Sequence, residues 1–135
     1  MNNEIWIKWE PTIKLSEKFI ISRLIDDKNG FRIVCYDEIK KYKIQIFFKD
    51  SVLSYRSSDE GKRIKTLNLL AEKYGKDFFS KWSIFIVKNS EYIKWFNEES
   101  YNIYSEYKIM HFVFIAINDI VEILSTYIPE IIIRP

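Results

Sequence analysis

One cysteine, one histidine, three glycines and three prolines leave this 135-residue chain poor in the residues from which most reactive sites are assembled. A lone Cys35 excludes an intrachain disulfide and a cysteine-based metal site, and a single His111 beside it gives too few ligands for a zinc centre. Three scattered glycines cannot build a phosphate-cradling loop or a dinucleotide fingerprint, so nucleotide cofactors are disfavoured and no cofactor is expected. The acidic residues are numerous but have no metal-ligand spacing, and the calcium-loop pattern is missing. Neither G-x-S-x-G nor H-E-x-x-H occurs. No apolar run approaches the ~18 residues of a membrane-spanning helix, so no membrane partner is expected. The opening "NNEIWIKWEP" has neither the basic nor the apolar region of a secretory leader, which together with the lone thiol predicts a reducing, cytoplasmic location. Charge of one sign is lacking too. With 21 basic and 19 acidic residues, and only five arginines among the former, nucleic acid is a disfavoured partner.

What the chain does have is apolar and aromatic mass. Hydrophobic residues make up 47%, enough for a packed core in one domain spanning 1–135. "EIWIKW" alternates, with Ile5, Ile7 and Trp9 on one face. "KFIISRLIDDKNGFRIVCYDE" reads as a hairpin whose turn uses Asn29-Gly30, residues that tolerate positive φ. "YKIQIFF" sets Tyr42, Ile44, Ile46 and Phe48 on one face, and "SVLSYR" continues the same meander after a kink near Asp50-Ser51. Beyond Ser58 the period changes: Ile64, Leu67, Leu70, Ala71 and Tyr74 form a helical stripe closed by Gly75. "WSIFIVK" is an inner strand, "NSEYIKWFNEESY" a second helix capped by Asn89 or Ser90, and "EIIIRP" a final strand. "HFVFIA" and "IVEILST" read as a hairpin around Asn118-Asp119, with a helix over 118–126 as the rival. The whole is α+β: a mostly antiparallel sheet built from a meander and hairpins, with two helices packed on one face.

The densest charge, Asp59, Glu60, Lys62 and Arg63, reads as a helix start, with Ser58 as N-cap and carboxylates in the first turn. Arg56 has no such local account; its fork can hold Asp59, Glu60 or Glu122, or face a partner. His111 begins a strand, in register with Val113 and Ile115, and any imidazole acid–base chemistry must run through it, with Ser125, Glu122 or Asp119 as candidate partners. Cys35, mid-strand, reads as a small buried hydrophobe, and a Cys35–His111 pair has no flanking signature.

The aromatic share, 17%, exceeds what one sheet core absorbs. Trp95 and the tyrosines at 101, 104 and 107 crowd into one stretch with polar residues between them, which suits a binding face as well as packing over a sheet edge. Glu98, Glu99 and Glu106 in that stretch oppose single-stranded nucleic acid. The order "YRSSDEGKRIKTL", "WSIFIVKNSEYIKW", "HFVFIAINDIVEIL" resembles small uncharacterised proteins of Bacillus-type bacteria, across about residues 17–133. That resemblance brings no catalytic residue; it implies an immunity-type protein of the kind found beside toxin genes. The expectation is a non-enzymatic protein-binding protein, in its most concrete form one that neutralises a toxin by occlusion, through Arg56, Trp95, Tyr101, Tyr104 and Tyr107. Its rivals are a small enzyme with His111 as general acid/base and a nucleic-acid-binding module.

Overall fold

In the computed structural model, residues 3–12, 15 and 17–135 are described. They form nine strands and two helices: β1 (Ile5–Lys8), β2 (Ile20–Asp27), β3 (Gly30–Asp37), β4 (Tyr42–Phe48), β5 (Ser54–Asp59), α1 (Ile64–Tyr74), β6 (Ile84–Lys88), α2 (Glu91–Glu99), β7 (Met110–Ile115), β8 (Asp119–Ser125) and β9 (Glu130–Arg134). The fold is α+β, and all strand pairs are antiparallel. There are two sheets: five strands in the order β1-β6-β7-β8-β5 and four in the order β2-β3-β4-β9.

The sheets lie face to face. Phe112, Phe114, Ile84, Val121 and Ile123 of the larger sheet share one buried core with Phe31, Ile33, Cys35, Ile44, Ile46 and Phe48 of the smaller. Phe112 sits at the seam, its ring 5.9 Å from Phe48 and 5.2 Å from Trp9. Alternation then sends the other residues of the five-stranded sheet outward, where Phe85, Val87, Val113, Ile115 and Ile120 pack under Leu70 of α1. Tyr92 of α2 packs on the same side, edge-on to His111. Both helices thus cover one face of one sheet, and the second sheet covers the other face. Asn118 fastens the layers: its amide accepts from the Ile21 N–H at 3.1 Å and donates to the Ile21 carbonyl at 2.9 Å.

Several local expectations change. β5 does not continue the meander; it crosses to the other sheet and pairs with β8. Alternation assigns a residue to a face but carries no information on which sheet receives the strand. Ile5 and Ile7 do share a face, but an exposed one, while Trp6 between them is buried. Ser58 is the penultimate residue of β5 and caps no helix; Asp59 instead caps a 3₁₀ turn, Glu60–Lys62, accepting from the Gly61 N–H at 2.8 Å. α1 starts only after Arg63, and Ile64 is exposed. Residues 118–126 are no helix: Asp119–Ser125 is a strand paired with β7.

In the β2–β3 hairpin Asp27 pairs with Gly30, so the two central turn residues are Lys28 and Asn29, one position earlier than the sequence suggests. Gly30 carries the positive φ, 111°. A Cβ there would lie 2.6 Å from the Phe48 carbonyl oxygen and 2.9 Å from that of Lys49. Both obstacles are backbone, so Gly30→Ala is expected to destabilise the fold by at least ~2 kcal/mol, measured by urea unfolding; a change within about 0.5 kcal/mol would contradict this reading of the turn.

Candidate functional site

Under the helices, one carboxylate gathers three cation-capable side chains. Glu122 interrupts the apolar strand β8 on its outward face, between Ile120 and Leu124, and is 1% exposed. The register sets it directly opposite Arg56 of β5. Arg56 binds it side-on, Nε to Oε2 at 2.5 Å and Nη2 to Oε1 at 3.1 Å. Arg63, the residue before α1, reaches back to Oε2 at 2.7 Å and places Nη2 3.3 Å from the Thr66 hydroxyl. His111 of β7 completes the set, Nε2 to Oε1 at 2.9 Å. Two hydrogen bonds fall on each carboxylate oxygen, which fills the lone-pair positions a carboxylate offers.

Arg63 explains the late start of α1. It occupies the N-cap position, where it makes no capping bond, and a cation there opposes the helix dipole by about 0.3–1 kcal/mol. The ion pair with buried Glu122 outweighs that cost.

The far side of the imidazole meets α2. Ser90 is the N-cap of that helix; its Oγ accepts from the Ile93 N–H at 3.0 Å and lies 2.7 Å from His111 Nδ1. Ser90 can donate to Nδ1 while it accepts from Ile93, and Nε2–H then donates to Glu122, a tautomer that satisfies both contacts. Serine, imidazole and carboxylate in hydrogen-bonded sequence are the ingredients of acyl-transfer catalysis. Here Ser90 is 4% and His111 1% exposed, and the carboxylate is already neutralised by two guanidiniums. The imidazole joins strand to helix.

A cavity of about 400 Å³ lies beside the junction. Arg56, Arg63, Lys65 and Glu122 line it together with Glu4, Glu91 and the apolar Trp6, Leu69 and Leu70. His111 and Ser90 are not among its lining residues.

The sequence-derived binding residues divide into two groups. Arg56 lies with its guanidinium 4.1 Å above the Tyr92 ring, and Tyr92 is 5.7 Å from Trp95, so Arg56 and Trp95 are brought together through a residue the sequence reading passed over. Tyr104 packs on Phe96 at 5.4 Å and on Tyr107 at 6.2 Å. Trp95 is 51%, Tyr101 90% and Tyr107 61% exposed, with Ile103 exposed between them. Tyr101 and Asn102 both take left-handed backbone, φ 52° and 59°. For a residue as bulky as tyrosine this costs on the order of 1–3 kcal/mol. Cys35 is buried in the smaller sheet, where burial pushes its thiol pKa up. His111 lies on the far face of the other sheet, so the two form no pair.

Sequence reasoning named Glu122 as a partner for Arg56 and for His111, and both contacts occur on that one group. It missed Arg63 and Ser90. The available signal was Glu122 itself, a charge in a strand whose neighbours Val121 and Ile123 are fully apolar and which therefore needed cations from elsewhere. Among the described residues no group of three His, Cys, Asp or Glu side chains could hold a metal ion, and neither helix is long and apolar enough to cross a membrane. No protein-family model, curated protein or solved structure matches the chain.

Burial pushes the Glu122 carboxyl pKa up, but the hydrogen bonds from His111 and Arg56 and the nearby charge of Arg63 outweigh it and hold the carboxyl well below the usual carboxylate range. A depressed folded-state pKa means that the stabilisation is fully present above the unfolded value, about 4.3, and is lost as pH falls through the folded one. Glu122→Gln is therefore expected to cost about 3 kcal/mol or more at neutral pH, because it leaves two guanidiniums without their counter-charge. In urea titrations the gap between parent and variant should narrow steadily below about pH 4. A gap that is constant with pH would contradict the ionic junction.

Proposed function

We propose that this chain is a non-enzymatic protein-binding protein, in its most concrete form an immunity-type protein that neutralises a toxin by occluding it. The face runs from Arg56, which lies over the buried Tyr92, to Trp95 of α2 and the segment carrying Tyr101, Ile103, Tyr104 and Tyr107. Aromatic anchors exclude water there, and the half-exposed Arg56 sets the register of approach. The interleaved Glu98, Glu99 and Glu106 favour a protein over a nucleic acid as the occupant.

One observation carries this reading. Tyr101 closes the end of α2 in left-handed backbone, a position that glycine fills without strain, yet its side chain serves no packing within the fold and stands 90% in solvent. A position that trades stability for a projecting aromatic is typical of a recognition surface. The rival enzyme reading requires His111 or Ser90 to meet a substrate. Both ring nitrogens are engaged within the fold and both residues are buried, which supports the binding reading instead.

Tyr101→Gly separates the two roles. It is expected to raise unfolding stability by about 1 kcal/mol, by relieving the left-handed strain. Affinity purification of the tagged parent from its host, read by mass spectrometry, should recover one protein in near-stoichiometric amount. Removal of anchors by Trp95→Ala and Tyr107→Ala should weaken its retention about 30-fold or more per anchor. Identical recovery by parent and variants, or a Tyr101→Gly protein less stable than the parent, would contradict the proposal.

A further inference from the structure

The cavity beside Glu122 has donors to spare. A guanidinium carries five N–H groups. Arg56 spends two on Glu122, and Arg63 spends one on Glu122 and one on Thr66, so each keeps three for which the described residues supply no acceptor. Arg63 is only 18% exposed, so most of its side chain lies against the protein at the cavity wall. Lys65, on the same wall, makes no ion pair among the described residues. The acids are differently placed. Glu122 is saturated, Glu91 pairs with Lys94 at 3.4 Å, and Glu4 accepts from the Glu91 N–H at 2.9 Å while its charge also acts on Arg56 from across the cavity. Trp6, Leu69 and Leu70 give the cavity an apolar floor.

We propose that this cavity is a binding site for a single carboxylate carried on a small apolar body. The carboxylate would take the free edges of Arg56 and Arg63, and the body would lie on Trp6 and Leu69. Glu122 fixes both guanidiniums in place before the ligand arrives, so little side-chain entropy is lost on binding. The same lining argues against a doubly charged phosphate. Three basic and three acidic side chains line the space, so their formal charges cancel; one carboxylate already makes it net negative, and a second negative charge would add to that repulsion. The volume of about 400 Å³ falls within the range of small-molecule pockets. This inference does not rest on the protein-binding reading, since free acids test it directly. The carboxylate has two possible sources, a small organic acid or an acidic side chain of a partner protein.

The test is a titration of the isotope-labelled full chain, following the Nε–H signals of Arg56 and Arg63 and the indole N–H of Trp6. 3-Phenylpropionate should move all three, with a dissociation constant on the order of 1 mM. 3-Phenylpropanamide, its neutral counterpart, should bind roughly tenfold more weakly or worse, as loss of a charge-assisted pair requires. Leu69→Phe fills the cavity without touching a charge and should abolish the response. If N-acetylglutamic acid α-amide binds tighter than phenylpropionate, the site receives a partner's side chain; the reverse order assigns it to a small acid, and either order upholds the site. Equal binding of acid and amide, a larger response to inorganic phosphate than to the acid, or an undiminished response in Leu69→Phe would overturn it.

Discussion

A carboxylate with 1% exposure is tolerable only if its charge is answered, and in this fold the answer comes from three directions. Glu122 of β8 takes Arg56 from β5, His111 from β7 and Arg63 from the start of α1, and through His111 it reaches Ser90 and α2. Two helices that each bury one side chain fully, Leu70 in α1 and Tyr92 in α2, are located on the sheet by these directional bonds as well as by apolar packing. A hydrophobic replacement of such a network can be just as stable. What it would not supply is a fixed orientation for two arginines at the edge of a cavity.

That orientation connects the interior to the surface. Arg56 is half exposed, with one edge bonded to Glu122 and one face above Tyr92. Tyr92 in turn contacts Trp95, the first of the exposed aromatics. The junction therefore holds both the cationic wall of the cavity and the near end of the aromatic face. The far end, around Tyr101, is fixed differently, by backbone bonds from Tyr101 N–H to Glu98 and from Asn102 N–H to Asn97 that close the end of α2 in left-handed conformation.

Most of the elements were legible in the sequence because their signals are local. The "DDKNG" turn, the alternation in "YKIQIFF", the β-branched arms around Asn118-Asp119 and the Ser90 cap each depend on residues within a few positions of one another. Two things were not legible, for one reason. The pairing of β5 with β8 in the five-stranded sheet and the start of α1 at Arg63 rather than Ser58 both meet at Glu122, some sixty positions away. Period and capping rules contain no such distance. At the site, Glu122 was visible as a charge that needed a partner, while the choice of Arg63 and Ser90 required the fold. The five residues named for binding are all placed at or near the surface, Arg56 and Tyr104 only partly exposed, but the contact that links Arg56 to Trp95 runs through Tyr92, which by sequence is one more buried aromatic.

Whether Glu122 is a permanently charged junction or a carboxyl available for proton transfer is decided by its own titration. The ¹³C shift of the Glu122 side-chain carboxyl, followed as pH falls from neutrality, should remain that of a carboxylate through about pH 4.3, where an ordinary glutamate is half protonated. A midpoint at or above that ordinary value would contradict the account: the carboxylate would then be held by weaker bonds than the fold requires, and would be free to act as an acid or base.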